Sequence, residues 1–357
     1  MTLAIPREIR VVGSLYDYLV ESNKVTIIFH WDSDGIASAS ILKELLSRHK
    51  VQLDFIVPKI GYYDVNAIDM SKINAFKPDL IVVLDYALKA GDLEILEQST
   101  GVPVLLVDHH VNILPAKPLY YNPVAAGQPQ IMYPSTTWVL RELLQLSLDL
   151  KILLGVAGDR GIKAKDTPAW MQIEYYIRRL NWNWKNIVRL AEIVDSLYRS
   201  GDIEGIKKAI DKLLDYNNDL ERALRDNEWN NKYKLVEREL NRYEEIKPTE
   251  IIGDKILVFK VESKYYIASA ITRRLALKNQ DKIVIVAFKH LGEGPCHVYA
   301  RSWKYDLIDV ISSLSLKGYN IGGKNEVAAI TIECGKLEQA LKDMIEAVKE
   351  VGYKPLR

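Results

Sequence analysis

Short apolar runs in the first third of the chain predict a parallel β-sheet. Runs rich in branched apolar residues occupy 25–29, 80–84 and 104–107, and amphipathic stretches such as 37–49 lie between them. Buried strands of a parallel sheet read as continuous apolar runs because helices cover both faces of the sheet. We therefore expect an α/β domain with a doubly wound parallel sheet, flanked by helices that include 136–146.

Acidic residues and histidines follow each of the three runs directly. They are His30, Asp32 and Asp34 after the first run, Asp85 after the second, and Asp108, His109 and His110 after the third. Parallel sheets bind ligands beyond the carboxyl ends of their strands, so neighbouring strands would bring these side chains to one edge. Carboxylates that lie so close repel each other unless cations lie among them. The pattern indicates a pair of divalent metal ions, and the alternative for any single run is a strand-end loop with solvated acids.

The spacing after the first run predicts a local conformation. His30, Asp32 and Asp34 alternate along the chain, so an extended segment would point all three side chains to one side. Gly35 would then allow a sharp turn into a helix that begins near Ile36. One short segment would thus supply three metal ligands.

The rest of the chain divides where the composition changes. Strand patterns vanish between about 170 and 245, where many charges and apolar residues at helical spacing predict connecting helices. Strand and helix patterns return after 251 and indicate a smaller second α/β domain. The predicted boundaries are 1–165 for the first domain, 166–250 for the helical connector and 251–357 for the second domain.

Composition adds a few constraints. The 357 residues include 48 basic and 47 acidic side chains, so any surface for nucleic acid must be local. Cys296 and Cys334 are isolated in the sequence, which predicts two separate buried thiols rather than a disulfide or a zinc site. Trp182, Trp184 and Trp229 suit either base stacking or core packing, and we favour packing. No apolar run has the roughly 20 residues of a membrane span, and the N-terminus lacks the apolar core of a signal peptide, so we expect a cytoplasmic protein.

Four motifs in a specific order give the chain a resemblance to a known family. They are His30-Trp31-Asp32-Ser33-Asp34-Gly35, Val82-Val83-Leu84-Asp85, Asp108-His109-His110 and Gly155-Val156-Ala157-Gly158-Asp159. The third motif is short and weak alone, but the ordered set is highly specific. The chain resembles the DHH phosphoesterase superfamily, in particular its RecJ-like branch with a C-terminal DHHA1 domain.

The resemblance implies a role for each residue of the four motifs. His30 and Asp32 would hold one metal ion, Asp34, His109 and Asp159 would hold the other, and Asp85 would bridge the two. Asp108 would orient its neighbours, and His110 would face the scissile phosphate. Mixed imidazole and carboxylate ligands suit Mn²⁺ better than Mg²⁺, so we expect two Mn²⁺ ions, with Mg²⁺ or Co²⁺ as substitutes.

Two features of the second domain partly match DHHA1 domains. Arg301 and Ser302 close a predicted strand, where the family places an arginine that holds substrate phosphate, and Gly322-Gly323-Lys324 lies where the family has glycines followed by histidine. An arginine at a strand end can hold a phosphate bidentately, and glycines let backbone amides approach an anion. The alternatives are a surface ion pair and a glycine turn. Lys324 is a permanent charge where relatives have imidazole, so the preference among substrates can differ from theirs.

These observations together predict a metal-dependent phosphodiesterase. The first expectation is an exonuclease on single-stranded DNA or RNA, and the second is a hydrolase of short oligoribonucleotides or of cyclic or linear dinucleotides. A non-catalytic replication or repair scaffold of the same ancestry is a third alternative, less favoured because all six ligand positions are filled. An inorganic pyrophosphatase is the least favoured, because its first motif normally has a longer gap. Replication or repair proteins are candidate partners, an oligomer is compatible with the sequence, and a membrane partner is not expected.

Overall fold

A computed structural model describes residues 12–356 of the chain, with side chains from residue 15. The chain forms two compact units. The first unit contains the described residues up to 59 together with 63–198 and 202–233. The second unit contains 60–62, 199–201 and the residues from 234 onward. Among the described residues, no helix is both long enough and apolar enough to cross a membrane.

The first unit contains a five-stranded sheet in which all neighbouring strands are parallel. Its strands are β1 (Lys24–Phe29), β2 (Gln52–Ile56), β3 (Leu80–Leu84), β4 (Val104–Val107) and β5 (Tyr120–Tyr121), in the order β2-β1-β3-β4-β5. The three predicted strands are therefore β1, β3 and β4, which are neighbours in the sheet as expected. The fully apolar run of β3 is buried at every position, which is typical of a strand covered on both faces.

Helices make up most of the remaining first unit and the stretch that follows it. They are α1 (Val12–Glu21), α2 (Ser33–Leu46), α3 (Met70–Phe76), α4 (Ala90–Thr100), α5 (Thr136–Leu143), α6 (Leu150–Arg160), α7 (Trp170–Arg179), α8 (Trp184–Arg199), α9 (Ile203–Tyr216), α10 (Leu220–Leu224) and α11 (Asn227–Glu244). A 3₁₀ helix at Gly161–Asp166 continues the chain from the end of α6. Trp184 and Trp229 are 4% and 1% exposed, so both pack in the core as favoured.

The predicted start of α2 was wrong. The chain is not extended as far as Asp34, because α2 begins at Ser33 and Asp32 is its N-cap, accepting a hydrogen bond from the Gly35 amide. A capping aspartate ends the extended segment because its side chain satisfies an amide of the first helical turn. Gly35 serves a close approach rather than a sharp turn, since a Cβ at this position would lie 2.1 Å from the carbonyl oxygen of His30.

The second unit is built on a six-stranded mixed sheet. Its strands are β6 (Glu250–Ile252), β7 (Ile256–Ser263), β8 (Ile283–His290), β9 (Cys296–Ser302), β10 (Ile321–Lys324) and β11 (Val327–Ile332), in the order β10-β11-β9-β8-β7-β6. Only β7 and β8 are parallel to each other. The helices are α12 (Ala268–Lys278), α13 (Ile308–Leu316) and α14 (Leu337–Val351). Separate apolar clusters contain residues of α13 and α14 in one case and of α12 in the other.

The prediction of two separate thiols was also wrong, because Cys296 and Cys334 form a disulfide. Cys296 is the first residue of β9 and is paired in register with Ile332, the last residue of β11. The chain reaches Cys334 two residues later, and the two Cα atoms lie 4.9 Å apart. A separation of 38 residues carries no pairing signal in the sequence, whereas the strand register brings the two cysteines together.

Candidate metal centre

The carboxyl ends of β1, β3 and β4 bring the predicted ligands together. The ladder continues past the strands, because the His30 amide donates to the Leu84 carbonyl and the Asp85 amide donates to the Val107 carbonyl. Asp85 has a φ of +58°, a left-handed conformation that few residues other than glycine, asparagine and aspartate adopt. This backbone conformation is compatible with strain stored at a functional site.

Two groups of side chains meet at this edge and share one aspartate. In the first group, Nδ1 of His30 lies 2.8 Å from Oδ2 of Asp32 and 3.7 Å from Oδ2 of Asp85. In the second group, Nε2 of His109 lies 2.7 Å from Oδ2 of Asp159 and 4.0 Å from Oδ2 of Asp34. The other oxygen of Asp85, Oδ1, lies 3.6 Å from Nε2 of His109. The two oxygens of Asp85 therefore approach one group each.

The donor atoms of these groups fit divalent cations. Nδ1 of His109 lies 3.0 Å from the carbonyl oxygen of Tyr133, which accepts only, so Nδ1 carries a proton. In the neutral ring, Nε2 then directs its lone pair at the carboxylates. These groups are all electron-rich, so a metal ion between them stabilises the arrangement. Both ring nitrogens of His30 and Oδ2 of Asp85 are buried and have no hydrogen-bond partner among the described residues, and Nδ1 is the nitrogen that faces the carboxylates. Buried acceptors of this kind need a cation or a proton.

Electrostatic repulsion inside the cluster leads to the same conclusion. Burial, and next the neighbouring Asp34, raise the pKa of Asp85 well above its usual value. Burial, and next Asp159, raise the pKa of Asp34 to about 6. Like charges in a desolvated site disfavour ionisation unless positive charge is added. The residues present thus suit divalent metal binding, in groups that each contain histidine and carboxylate.

Asp34 is held by the N-terminus of α5. Its Oδ2 accepts from the Thr136 amide at 2.6 Å and its Oδ1 accepts from the Thr137 amide at 3.0 Å. The hydroxyl of Thr136 also donates to Oδ1 of Asp85 at 2.8 Å. A helix N-terminus offers free amides and a positive dipole end, which stabilise a carboxylate. A site role for these threonines was not predicted, although Ser135 before an apolar stretch is a helix-start signal.

Two glycines of the fourth motif let α6 approach this site closely. A Cβ on Gly155 would lie 2.2 Å from Oδ1 of Asp34 and 2.2 Å from Oγ1 of Thr137. A Cβ on Gly158 would lie 2.1 Å from Oγ of Ser33. Both positions therefore require glycine, and the motif spacing could have predicted a helix that packs against a second element at these points.

Asp195 of α8 is a further residue that the sequence did not indicate. Its Oδ1 accepts from the Ser33 amide at 2.9 Å, in the first turn of α2. The aspartate is buried and lies 162 residues from Ser33 in the sequence, so no local signal links the two. It helps to fix the segment that carries Asp32 and Asp34.

Asp108 and His110 lie at the end of β4 beside the cluster. Nδ1 of His110 is 3.8 Å from Oδ1 of Asp85, so Asp85, His109 and His110 form a third possible metal-ligand group. Oδ1 of Asp108 lies 2.7 Å from Nδ1 of His110 and accepts from the amides of His109 and His110. Burial raises the pKa of Asp108, but His110 outweighs this effect and the pKa falls below its usual value. Asn122, which no sequence pattern indicated, donates to Oδ2 of Asp108 and to the carbonyl of His110. The pair fixes the ring of His110, whose side chain is 36% exposed.

The remaining predicted site residues belong to the second unit. Arg301 is 7% exposed, and its Nε has no hydrogen-bond partner among the described residues. Burial, and next the nearby Arg273, lower the pKa of Arg301 to about 10. A buried guanidinium with an unsatisfied donor is a ready partner for an anion. Arg273 of α12 was not indicated by the sequence.

Ser302 and the glycine pair have structural roles that the sequence did not predict. Oγ of Ser302 donates to the Lys282 carbonyl and accepts from the amides of Lys304 and Tyr305, so its hydroxyl is used within the unit.

Gly322, Gly323 and Lys324 lie in the edge strand β10 rather than in a turn. Gly323 has a φ of +154°, and a Cβ there would lie 1.9 Å from the Val327 carbonyl oxygen. Lys324 is paired with Val327, which is itself paired with Arg301. Because directly paired residues point to the same face of a sheet, Lys324 and Arg301 share a face.

The chain matches two family models. The model of the DHH family, N-terminal domain, matches residues 24–165, and the model of the DHHA1 domain matches residues 253–350. The first range contains every residue of the metal groups, and the second contains Arg301 and Lys324. No curated protein matches the chain.

Several solved structures share the fold at low sequence identity. RecJ from Thermus thermophilus in complex with Mn²⁺ has a TM-score of 0.69 and 16% identity, over 99% of this chain and 56% of that chain. An exonuclease RecJ bound to manganese has a TM-score of 0.61 and 15% identity, over 97% of this chain and 95% of that chain. A DHH domain described as a member of the s1p family of ribosomal proteins has a TM-score of 0.66 and 14% identity, over 97% of this chain and 91% of that chain.

The chain thus spans little more than half the length of the Thermus RecJ, and the structural matches speak for the fold. The ordered motifs, the shared sheet edge and the two family models agree with one another. By its two family models the chain belongs to the DHH phosphoesterases that combine a DHH domain with a DHHA1 domain, and it shares its fold with RecJ, which supports the activity of a metal-dependent phosphoesterase.

Proposed function

We propose that the protein is a phosphodiesterase that hydrolyses single-stranded nucleic acid from an end with the help of two divalent ions. The observation that carries this proposal is the position of Asp85, whose two oxygens approach two different groups that each contain histidine and carboxylate. A carboxylate shared in this way is the arrangement that two ions at one phosphate require. The RecJ proteins that share the fold support a nucleic-acid substrate.

The ligand sets follow the two groups. His30, Asp32 and Asp85 would hold one ion, and Asp34, His109 and Asp159 would hold the other, with Asp85 common to both. We propose Mn²⁺ because imidazole is a poor ligand for Mg²⁺, and two similar RecJ structures contain manganese. Mg²⁺ and Co²⁺ are the proposed substitutes. Bound ions would supply a nucleophilic water at neutral pH and offset the negative charge of the phosphate.

The protein's own residues would position the substrate phosphate. Nδ1 of His110 lies 2.7 Å from Oδ1 of Asp108 and 3.8 Å from Oδ1 of Asp85, and we propose that Asp108 rather than a metal ion holds this nitrogen. The exposed edge of the ring would then face the phosphate through Nε2, as a hydrogen-bond donor or as a general acid. Asp108 would be a positioning residue, since its carboxylate stabilises the protonated ring.

Arg301 would bind a second phosphate of the substrate, because its buried guanidinium retains an unsatisfied donor. Lys324 lies on the same face and would add positive charge. We propose no direct substrate contact for Ser302, because its hydroxyl already makes hydrogen bonds within the unit. A grip on a second phosphate favours substrates longer than one phosphodiester.

A panel of substrates tests the proposal. Purified protein with Mn²⁺ would be offered single-stranded DNA, single-stranded RNA, duplex DNA, a linear dinucleotide, a cyclic dinucleotide and pyrophosphate at equal concentrations. We expect mononucleotides to be released from single strands, little cleavage of duplex and none of pyrophosphate. Faster turnover of dinucleotides than of any longer strand would replace the exonuclease with the short-substrate hydrolase. Absence of hydrolysis of every substrate, in protein shown to contain metal, would favour a non-catalytic scaffold.

A further inference from the structure

One segment of the first unit concentrates positive charge and aromatic rings. Residues 160–190 contain seven basic side chains and two acidic ones, in a chain whose formal net charge is only +1. The basic residues are Arg160, Lys163, Lys165, Arg178, Arg179, Lys185 and Arg189, and the acidic ones are Asp166 and Glu174. The same segment holds five aromatic residues, namely Trp170, Tyr175, Tyr176, Trp182 and Trp184. A local basic surface with interleaved aromatic rings is the composition of surfaces that bind single strands.

The structure arranges this segment around a groove. The groove has a volume of about 370 Å³, and its lining includes Lys165, Trp170, Arg178, Asn181 and Trp182. This volume lies within the range of roughly 300–1,000 Å³ that small-ligand sites have. Lys165, Arg178 and Asn181 are exposed, while Trp170 and Trp182 are half-buried, so the rings and the charges are both accessible.

Trp184 forms the support of the groove rather than a binding surface. It is 4% exposed, and its indole Nε1 donates to the Gly161 carbonyl at 2.9 Å. Trp170 contacts it edge to face, with ring centroids 5.4 Å apart, and Nζ of Lys165 lies 5.6 Å from the Trp170 centroid. A ring that is held rigidly beside a cation can stack a base while the cation meets a phosphate.

The first residue that lines the groove follows the candidate metal centre closely along the chain. Asp159 lies in the last turn of α6, and the 3₁₀ helix Gly161–Asp166 leads directly to Lys165. With a rise of about 2 Å per residue, six residues of such a helix span roughly 12 Å. A strand with its terminal phosphate at Asp159 would therefore reach Lys165 within a few nucleotides.

We propose that this groove binds the single strand beyond the scissile phosphate. A base would stack on the half-buried ring of Trp182 or Trp170, and phosphates would contact Lys165 and Arg178. Arg178 now pairs with Glu174 at 2.8 Å in an exposed helical pair, which a phosphate can displace at little cost. The choice of a nucleic-acid strand rests on the proposed function, and the charge of the segment excludes a basic partner.

Binding without hydrolysis tests the inference separately from catalysis. Labelled single strands of twelve nucleotides, one of DNA and one of RNA, would be titrated in EDTA and followed by fluorescence anisotropy. We expect Trp182→Ala to weaken binding by about tenfold, because stacking is lost, and Trp182→Phe to weaken it much less. Arg178→Ala should weaken binding several-fold, and its effect should shrink as salt rises. Hydrolysis of a dinucleotide by the Mn²⁺-loaded protein should be unchanged in all three variants.

Arg225→Ala is the matched control for Arg178→Ala. Arg225 pairs with Glu221 at the same helical spacing, and its side chain is 80% exposed compared with 77% for Arg178. Both variants lose the same charge, so only a specific site separates them. Circular dichroism and thermal unfolding would show that each variant is folded.

Three outcomes would overturn the inference. The first is equal binding by wild type, Trp182→Ala and Trp182→Phe, and it would leave the proposed function intact if wild type still hydrolyses single strands. The second is an equal loss of affinity in Arg178→Ala and Arg225→Ala, which would mean that only net charge matters. The third is displacement of the strand by polyglutamate at equal charge concentration, because the groove would then suit an acidic protein. Binding at the groove without any hydrolysis would instead contradict the proposed function and leave the inference standing.

Discussion

Asp85 combines an unusual backbone with an unusual environment. It has a left-handed φ of +58° and lies at the edge where β1, β3 and β4 end. Its pKa is raised by burial and then by three neighbouring aspartates of the same cluster and Asp108. A residue so placed destabilises the metal-free protein, and a bound cation would remove that cost.

Asp85→Asn tests this balance without changing the shape of the side chain. Asparagine tolerates the left-handed conformation, so the backbone should be retained. We expect the variant to lose bound divalent metal and more than nine-tenths of the hydrolysis, because both groups lose their shared charge. In EDTA it should unfold at a higher urea concentration than metal-free wild type. Metal content by mass spectrometry and urea midpoints would be measured, with Asp54→Asn on β2 as the control.

His110→Ala separates positioning of the phosphate from metal binding. Because Nδ1 of His110 is engaged by Asp108, we expect metal content to stay at the wild-type value. Turnover should fall by about two orders of magnitude, a typical loss for an acid-base or hydrogen-bonding group in the transition state. Single-turnover kinetics and metal analysis would be done on the same preparation. Loss of metal in His110→Ala, with full retention in His109→Ala, would exchange the two roles.

For individual residues, the sequence predicts the charged side chains of the site but not the hydrogen-bonding groups that hold them in place. His30, Asp85 and His109 follow apolar runs, and parallel strands bring such positions to one edge. The amides of Thr136 and Thr137 leave no such pattern, since any residue has an amide. The sequence gives no sign of Asp195 either, because its contact with Ser33 joins residues that are 162 positions apart in the chain.

Among the elements, α6 is the one whose packing depends most closely on the absence of a side chain at a single residue, Gly155. Its Gly155 faces Asp34 and Thr137, so the helix can approach α2 and α5 only without a side chain there. This contact places Asp159, one turn later, beside His109. The packing of α6 therefore positions Asp159, the proposed metal ligand at its end.

Gly155→Ala should disturb both packing and metal binding. The new methyl group would meet two buried polar atoms at 2.2 Å, so we expect a loss of about 1–3 kcal/mol in the free energy of unfolding and weaker metal binding. Gly91→Ala on α4 is the matched control, because a Cβ there has no neighbour within 4 Å. That control should be neutral or stabilising by up to about 1 kcal/mol. Urea denaturation in EDTA and calorimetric metal titration would compare them, and equal stabilities of the two variants would contradict the steric argument.

Apolar pattern predicts elements well only where burial is complete. The strands β1, β3 and β4 are buried along most of their length and were predicted, whereas β2 contains Gln52 and Asp54 and was missed. The two residues of β5 are too few to form a pattern. The start of α2 was placed too late because alternation of polar residues resembles a strand, while Asp32 acts as a helix cap.

For the whole molecule, the disulfide is the one covalent link beyond the backbone among the described residues. It joins the start of β9 to the 3₁₀ turn Cys334–Lys336 before α14, and the loop it closes contains the rest of β9 together with α13, β10 and β11. Closing a loop of 38 residues restricts the unfolded chain, which raises the stability of the second unit.

Reduction should therefore destabilise the second unit. We expect dithiothreitol to lower its free energy of unfolding by about 2–4 kcal/mol. Cys334→Ser should match reduced wild type and should not respond to the reductant. Guanidinium denaturation with and without dithiothreitol would measure the effect, and coincident curves for oxidised and reduced wild type would show that the link adds no stability. Metal binding by the first unit provides an independent reading in the same samples.

The same link also determines how far the chain can be stretched. In a molecule pulled through handles at its two ends, the segment between Cys296 and Cys334, a sequence separation of 38, would bear no force and would not extend. At about 3.5 Å per residue, the oxidised chain would be shorter by roughly 130 Å of contour length than the reduced one. Optical tweezers resolve such a difference in a single molecule. The redox state of the two sulfur atoms can thereby be read from the contour length of the stretched chain. In the oxidised protein, the region from β9 to α14 carries no load.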